Sequence, residues 1–215
     1  MKRRARNFSL GLLCLALASV RCIAQVHDQP YTWKNVTVGA GGFIPGIVFS
    51  RAEKGLAYLR SDMGGFYRWD NTQKTWIPLQ DALAESSYQG GESIAPDPID
   101  PNIVYCAAGM YYSDPAAMLR SRDRGKTWKI FPVPFKMGGN EDGRGMGERL
   151  AVDPNSTNIL YFGSRHDGLM RSDDFAQTWS QVASFPLKGT GAPPRGERRS
   201  DPGAGLSFVV FDPQS

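Results

Sequence analysis

Apolar positions along this chain fall in short runs closed off by turn-forming residues. Ile103-Val104-Tyr105, Leu150-Ala151-Val152, Leu160-Tyr161 and Phe208-Val209-Val210-Phe211 are each bounded by Asp, Pro, Gly or Asn. Runs of this length, rich in β-branched and aromatic residues, predict β-strands. They also recur. Trp76, Trp128 and Trp179 are spaced by 52 and 51 residues, and Arg68, Arg120 and Arg171 keep the same two spacings. Two unrelated residue types on one period near 50 predict a β-propeller, with one four-stranded blade per repeat.

Superposing the repeats assigns the strands. The first strands are 93–98, 149–154 and 208–213, and the second are 102–105, 158–161 and, more loosely, 55–58. The third are 118–121, 169–172 and 66–69, and the fourth begin at 127–128, 178–179 and 75–76. Thr32-Trp33-Lys34 matches Thr127-Trp128-Lys129, so 31–36 is expected to be an outer strand closing the ring. The fold class is therefore all-β: roughly three blades and the start of a fourth, part of a larger propeller.

In an antiparallel blade the connections alternate between two faces of the disc. On one face, the strand 3–4 turn Ser121-Arg122-Asp123-Arg124-Gly125-Lys126-Thr127-Trp128 reads S-x-D-x-G-x-T-W. Ser172 to Trp179 repeats it with Ala176 in the glycine position. This pattern resembles the Asp-box, whose Asp and Thr suit capping of a tight turn. A residue repeated in each blade serves the blade, which gives Asp123 and Asp174 structural roles.

The opposite face carries long glycine-rich strand 4–1 loops at 38–42, 78–91, 135–147 and 187–205. The strand 2–3 loops beside them hold Asp62-Met63-Gly64-Gly65, then 107–115 with Tyr111, Tyr112 and Asp114, then Arg165-His166-Asp167-Gly168. These loops differ from blade to blade, and variable long loops on one face of a rigid scaffold are where binding and catalysis sit. Aromatic and polar residues with carboxylates suit a sugar polymer. Asp62 is the candidate catalytic residue. Tyr67, Tyr111, Tyr112, Met146, Glu148 and His166 are the candidate substrate-binding residues. Each has a plainer alternative: Gly64-Gly65 as a tight bend, the tyrosines packed over a strand edge, Glu148-Arg149 as an ordinary ion pair, His166 as a polar loop residue. Arg195 to Arg199 reads as a solvated loop.

Charge and cysteine content narrow the picture further. Residues 1–24 read as a signal peptide: Lys2, Arg3, Arg4 and Arg6 precede an apolar stretch from Phe8 to Val20 that is too short to span a bilayer. Arg21 directly before Cys22 argues against a lipoprotein anchor. Without this segment the 25 basic and 21 acidic residues become 20 and 21, so the basic balance belongs to the signal and a nucleic-acid partner loses its support. The expected mature chain, 25–215, is secreted or periplasmic, with no membrane contact once the signal is gone. It keeps one cysteine, Cys106, and two histidines, His27 and His166, so no disulfide, structural metal or cofactor is expected.

Three stretches together resemble glycoside hydrolase family 74, the xyloglucan-cleaving β-glucanases. They are Gly41-Gly42-Phe43-Ile44-Pro45-Gly46-Ile47, Ser61-Asp62-Met63-Gly64-Gly65-Phe66-Tyr67-Arg68-Trp69-Asp70, and Lys136 to Asn140 followed by Gly143-Arg144-Gly145-Met146-Gly147-Glu148-Arg149-Leu150. The resemblance spans about 30–213. It implies two seven-bladed propellers facing each other across an open cleft, xyloglucan or a related β-glucan as substrate, and cleavage with inversion. It places the general base at Asp62 and the general acid on a second propeller outside this sequence. The arginine-rich loop 187–205 departs from the family pattern. A non-catalytic propeller that binds protein or glycan is the competing class. A sialidase would need an arginine cluster around a carboxylate with a nucleophilic tyrosine, a set not evident in the sequence.

Overall fold

The computed structural model describes residues 32–39, 41–187 and 205–212. The expected signal peptide and the Arg195–Arg199 loop lie outside these residues. Three four-stranded antiparallel sheets follow one another along the chain, each a meander in sequence order. The first blade is β1 (Gly46–Phe49), β2 (Ala57–Arg60), β3 (Phe66–Asp70) and β4 (Thr75–Pro78). The second is β5 (Gly91–Pro96), β6 (Val104–Ala108), β7 (Ala117–Ser121) and β8 (Lys129–Pro132), and the third is β9 (Leu150–Val152), β10 (Leu160–Gly163), β11 (Leu169–Ser172) and β12 (Ser180–Gln181). Among the described residues, no helix is long and apolar enough to cross a membrane.

The blades pack because alternate residues of a strand face opposite ways. In β6, Val104, Cys106 and Ala108 join Tyr58, Phe66, Leu79 and Leu119 in a core shared with the first blade. Tyr105 and Ala107 join Met118, Met137, Leu150 and Phe162 in a core shared with the third. The middle blade is thus covered on both faces, so β6 and β7 are buried throughout. Cys106 is one of these packing residues, and burial pushes its thiol well above the ordinary range.

The recurrent arginines latch each blade to the next. Arg68 Nη1 donates to Arg124 O at 2.9 Å, and Arg120 Nη1 donates to Phe175 O at 2.8 Å. The two acceptors hold equivalent places in successive S-x-D turns, which accounts for the period in the sequence. Arg171 instead binds Asp173 and the Tyr161 hydroxyl within its own blade. Within each turn the aspartate caps the backbone: Asp123 Oδ1 accepts from Thr127 N at 2.9 Å and Oδ2 from Thr127 Oγ1 at 2.6 Å. Asp174 repeats both contacts with Thr178.

Several strand expectations need correction, among them the fourth strands of the second and third blades, which begin at Lys129 and Ser180 just after the Thr-Trp pairs. Residues 32–36 carry no strand, and Trp33 is 93% exposed, where Trp76, Trp128 and Trp179 are half-buried. The first strand of the first blade, unassigned by superposition, is β1. The second strands begin about two residues later than expected, because Asn102 and Asn158 are turn residues whose carbonyls accept from Arg124 N and Phe175 N. Residues 205–212 have no assigned strand pairing but start a fourth repeat. Leu206 N donates to Ser164 O as Gly91 N does to Ser61 O, and Val209 N donates to Glu148 O.

Candidate functional site

Asp62 sits in the bend between β2 and β3, and the bend is built to hold it. Arg60 pairs with Phe66 at the strand end, and Ser61 N donates to Gly65 O at 2.8 Å to close the turn. Ser61 Oγ accepts from Gly64 N and donates to Gly41 O, tying the bend to the segment before β1. Phe43 and Asp62 then bond reciprocally. Phe43 N donates to Asp62 Oδ1 at 2.8 Å, and Asp62 N donates to Phe43 O at 3.0 Å. Gly42 has φ +99°, and a Cβ there would lie 2.5 Å from Asp62 Oδ1. The backbone passes too close for any side chain.

The other carboxylate oxygen meets a residue from a distant loop. Arg144 Nε stands 3.1 Å from Asp62 Oδ2. Arg144 lies between the second and third blades, in the glycine-flanked run Gly143-Arg144-Gly145. Arg60, almost fully buried, holds that loop in place. Its Nη1 donates to Gly91 O and Arg144 O, its Nη2 to Met146 O, and its Nε to Glu148 Oε1 at 2.7 Å.

The same loop reaches the remaining candidates. Asn140 Nδ2 donates to the Tyr111 hydroxyl at 2.9 Å, and Glu141 Oε1 accepts from Tyr112 N. Arg165 Nη1 donates to Asp142 O and to the Tyr112 hydroxyl. Tyr112 meets the His166 ring edge-on with centroids 4.5 Å apart. Loop 137–147 therefore connects Asp62 and Met146 at one end with Tyr111, Tyr112 and His166 at the other. Burial raises the Tyr112 hydroxyl above its ordinary range, although Arg165 acts against it.

Two candidate substrate-binding residues are placed differently. Tyr67 is buried and its hydroxyl donates to Gly64 O at 2.6 Å, so it braces the bend from inside. Glu148 pairs with Arg60, not with Arg149. Its second oxygen accepts from Ser93 Oγ at 2.7 Å and Ile94 N at 2.9 Å, so both oxygens are engaged by the protein. Met146, by contrast, is partly exposed, as are Phe43 and Met63 on either side of Asp62 in the sequence.

A buried ionic cluster lies beneath these loops, and it is not evident from the sequence. Glu92 Oε1 takes both Arg165 Nε at 2.7 Å and Arg149 Nε at 2.9 Å, and Oε2 accepts from Gly138 N. Burial opposes the Glu92 charge, but the two guanidinium groups outweigh it and hold the carboxyl below its ordinary range. One carboxylate between two cations leaves a surplus charge. Arg149 bears it, driven by burial down to about 10 despite Glu92, while Arg165 is raised because attraction to Glu92 outweighs its own desolvation. These arginines also donate to backbone carbonyls of Leu206 and Asp142, so they knit loops together. Among the described residues, no group of three or more His, Cys, Asp or Glu is arranged to hold a metal ion.

The turns on the other face form a separate polar group. Arg124 reaches Glu53 at 2.7 Å and Asn102 at 3.1 Å, joining a strand 1–2 turn of the first blade to both turn types of the second. Asp123 and Asp174 belong to this turn group, and Asp62, Tyr111, Tyr112 and His166 to the loop group.

No family model matches the chain. It is 54% identical over 199 residues to Xyloglucanase Xgh74A from Acetivibrio thermocellus, covering 88% of this chain and 24% of that protein. It is 44% identical over 208 residues to the oligoxyloglucan-reducing end-specific xyloglucanase of Emericella nidulans, covering 95% of this chain and 24% of the relative. Among solved structures, the GH74 xyloglucanase from Xanthomonas campestris superposes with a TM-score of 0.75 at 46% identity, over 86% of this chain and 27% of that one. The chain spans about a quarter of the length of the curated relatives it matches.

Proposed function

We propose that this chain, homologous over most of its length to the xyloglucanases of glycoside hydrolase family 74, forms one wall of a xyloglucan-cleaving active site and supplies its general base, Asp62. The observation that carries this reading is the setting of that carboxylate. One oxygen accepts a hydrogen bond from a backbone N–H and the other is ion-paired with a guanidinium, at a glycine bend on the face with the variable loops. A carboxylate has about four lone-pair sites, so each oxygen keeps one for water.

The chemistry is inverting hydrolysis of the β-1,4-glucan backbone. Asp62 takes a proton from water as that water attacks the anomeric carbon, while a carboxylic acid on the opposite side protonates the departing glycosidic oxygen. The two carboxyls stand roughly 6.5–9.5 Å apart to admit the water. The acid comes from a second propeller carried by further sequence, so residues 25–215 alone hold only the part of the machine that carries the base. Tyr111, Tyr112, His166 and Met146 line the path of the glucan chain, with open glycine-rich loops leaving room for its branches. Residues 1–24 direct export and are removed near Gln25, which N-terminal sequencing of secreted protein checks.

The test is Asp62→Ala in the full-length protein. Turnover on xyloglucan should fall on the order of 10²–10⁴-fold, with oligosaccharide binding retained. Near-normal turnover would remove Asp62 from catalysis. Glycan binding without hydrolysis by the full-length protein would favour a non-catalytic propeller. Release of reducing sugar by the 215-residue chain alone would refute the two-propeller arrangement.

A further inference from the structure

We propose that Arg144 is the positioning residue for Asp62, fixing the carboxylate that the reading above treats as the base. Arg144 belongs to the connection between the second and third blades, yet it reaches past the second blade to a bend in the first. Its backbone is pinned on both sides. Arg144 N donates to Glu141 O at 3.1 Å, and its carbonyl accepts from buried Arg60 at 3.2 Å. The side chain is therefore delivered from a fixed anchor.

Phe43 N donates to Oδ1, and Arg144 Nε stands 3.1 Å from Oδ2 as an ion pair without hydrogen-bond geometry, so partners from two separate loops flank the carboxylate. The Asp62 side chain is 6% exposed and that of Arg144 is 36% exposed, which makes the guanidinium the solvent-side cover of the carboxylate. A general base must hold its water in line with the reacting carbon, and a misplacement near 1 Å can cost roughly 10²-fold in rate. With its guanidinium 36% exposed, the pair is partly screened by solvent and contributes less to stability than a fully buried one. Substituting the side chain leaves the Arg144 carbonyl, and hence the Arg60 anchor, in place. The pair is thus less suited to holding the fold than to aiming Asp62.

The experiment compares Arg144→Met, Arg144→Lys and Asp62→Asn in the full-length protein, with kcat and KM on xyloglucan oligosaccharides and thermal melting for each. Arg144→Met should lower kcat by roughly 10–100-fold, with KM and melting temperature little changed. Arg144→Lys should recover part of that loss, because a single contact to one oxygen needs the charge more than the fork. If Arg144→Met keeps full kcat while Asp62→Asn is inactive, the positioning role is wrong and the assignment of the base stands. If Asp62→Asn itself keeps full turnover, the assignment of the base has failed. A change confined to KM would make Arg144 a substrate ligand and overturn the proposal. An equal loss in Arg144→Lys and Arg144→Met would also overturn it, since charge would not be the agent.

Discussion

Arg60 Nε and Glu148 Oε1 meet at 2.7 Å across 88 residues of sequence, joining the strand that leads into the Asp62 bend to the loop that delivers Arg144. The guanidinium also holds three backbone carbonyls, so this one side chain sets the spacing between two loops of the candidate site. Removing the carboxylate leaves a buried cation without its counter-charge. Glu148→Ala should cost about 3 kcal/mol of stability, read by denaturant unfolding. Glu148→Gln, which keeps an acceptor for Arg60, should cost less.

Gly42 offers a more selective perturbation. A methyl group there would press on Asp62 Oδ1 and Ser61 Oγ, at a backbone φ of +99°. Gly42→Ala should cost about 1–2 kcal/mol from the backbone conformation and also displace the carboxylate. Turnover in the full-length protein should fall at temperatures where circular dichroism still reports a folded chain.

Gly125 tests the turns on the other face without touching the loop group. Its φ is +86°, and a Cβ would lie 2.8 Å from Leu79 Cδ1, in the core between the first two blades. Gly125→Ala should lower stability by about 1–3 kcal/mol and leave kcat of the remaining folded protein unchanged. The third blade tolerates Ala176 at the equivalent position, at φ +67°. A smaller effect of Ala176→Gly would show that the cost at Gly125 comes mainly from Leu79.

The turn aspartates also predict an acid dependence. Burial alone would raise the Asp123 carboxyl, but hydrogen bonds from Ser121 and Thr127 outweigh it and bring it to about 2, and Asp174 is lowered in the same way. Both pKa values are depressed in the folded chain, so their contribution is complete above the ordinary aspartate range near pH 4. It is lost as pH falls from there toward 2. Both groups are well solvated, so the loss should be gradual. Asp123→Asn and Asp174→Asn should each flatten the fall in melting temperature across that window.

How much of this was legible in the sequence depended on whether a signal repeats. The third strands were placed almost residue for residue, since Arg68, Arg120 and Arg171 mark them and two of these latch to the next turn. β1 was missed because Gly46-Ile47-Val48-Phe49 is only half buried and carries no repeated marker. In the candidate site, Asp62 stood out at its glycine bend. The partners that set its geometry did not. Arg144 and Arg60 act through contacts spanning tens of residues, which no local pattern in the sequence marks. Tyr67 is a candidate ligand by its place beside Asp62 in the sequence, and burial is the feature that its sequence neighbourhood does not show. Its hydroxyl donates to Gly64 O within the bend.

The arginine latches have a kinetic meaning as well as a structural one. Each donor lies on a third strand and its acceptor on a turn synthesised about 55 residues later. A blade emerging from the ribosome is therefore unsecured until its successor has formed a turn. Order should spread from the first blade toward the third, always one unit behind the growing end. Pulse-labelled hydrogen exchange on nascent chains of increasing length would show β3 gaining protection only once residues beyond Arg124 are free to fold. Arg68→Ala should weaken that step for the first blade while leaving the later junction, latched by Arg120, intact.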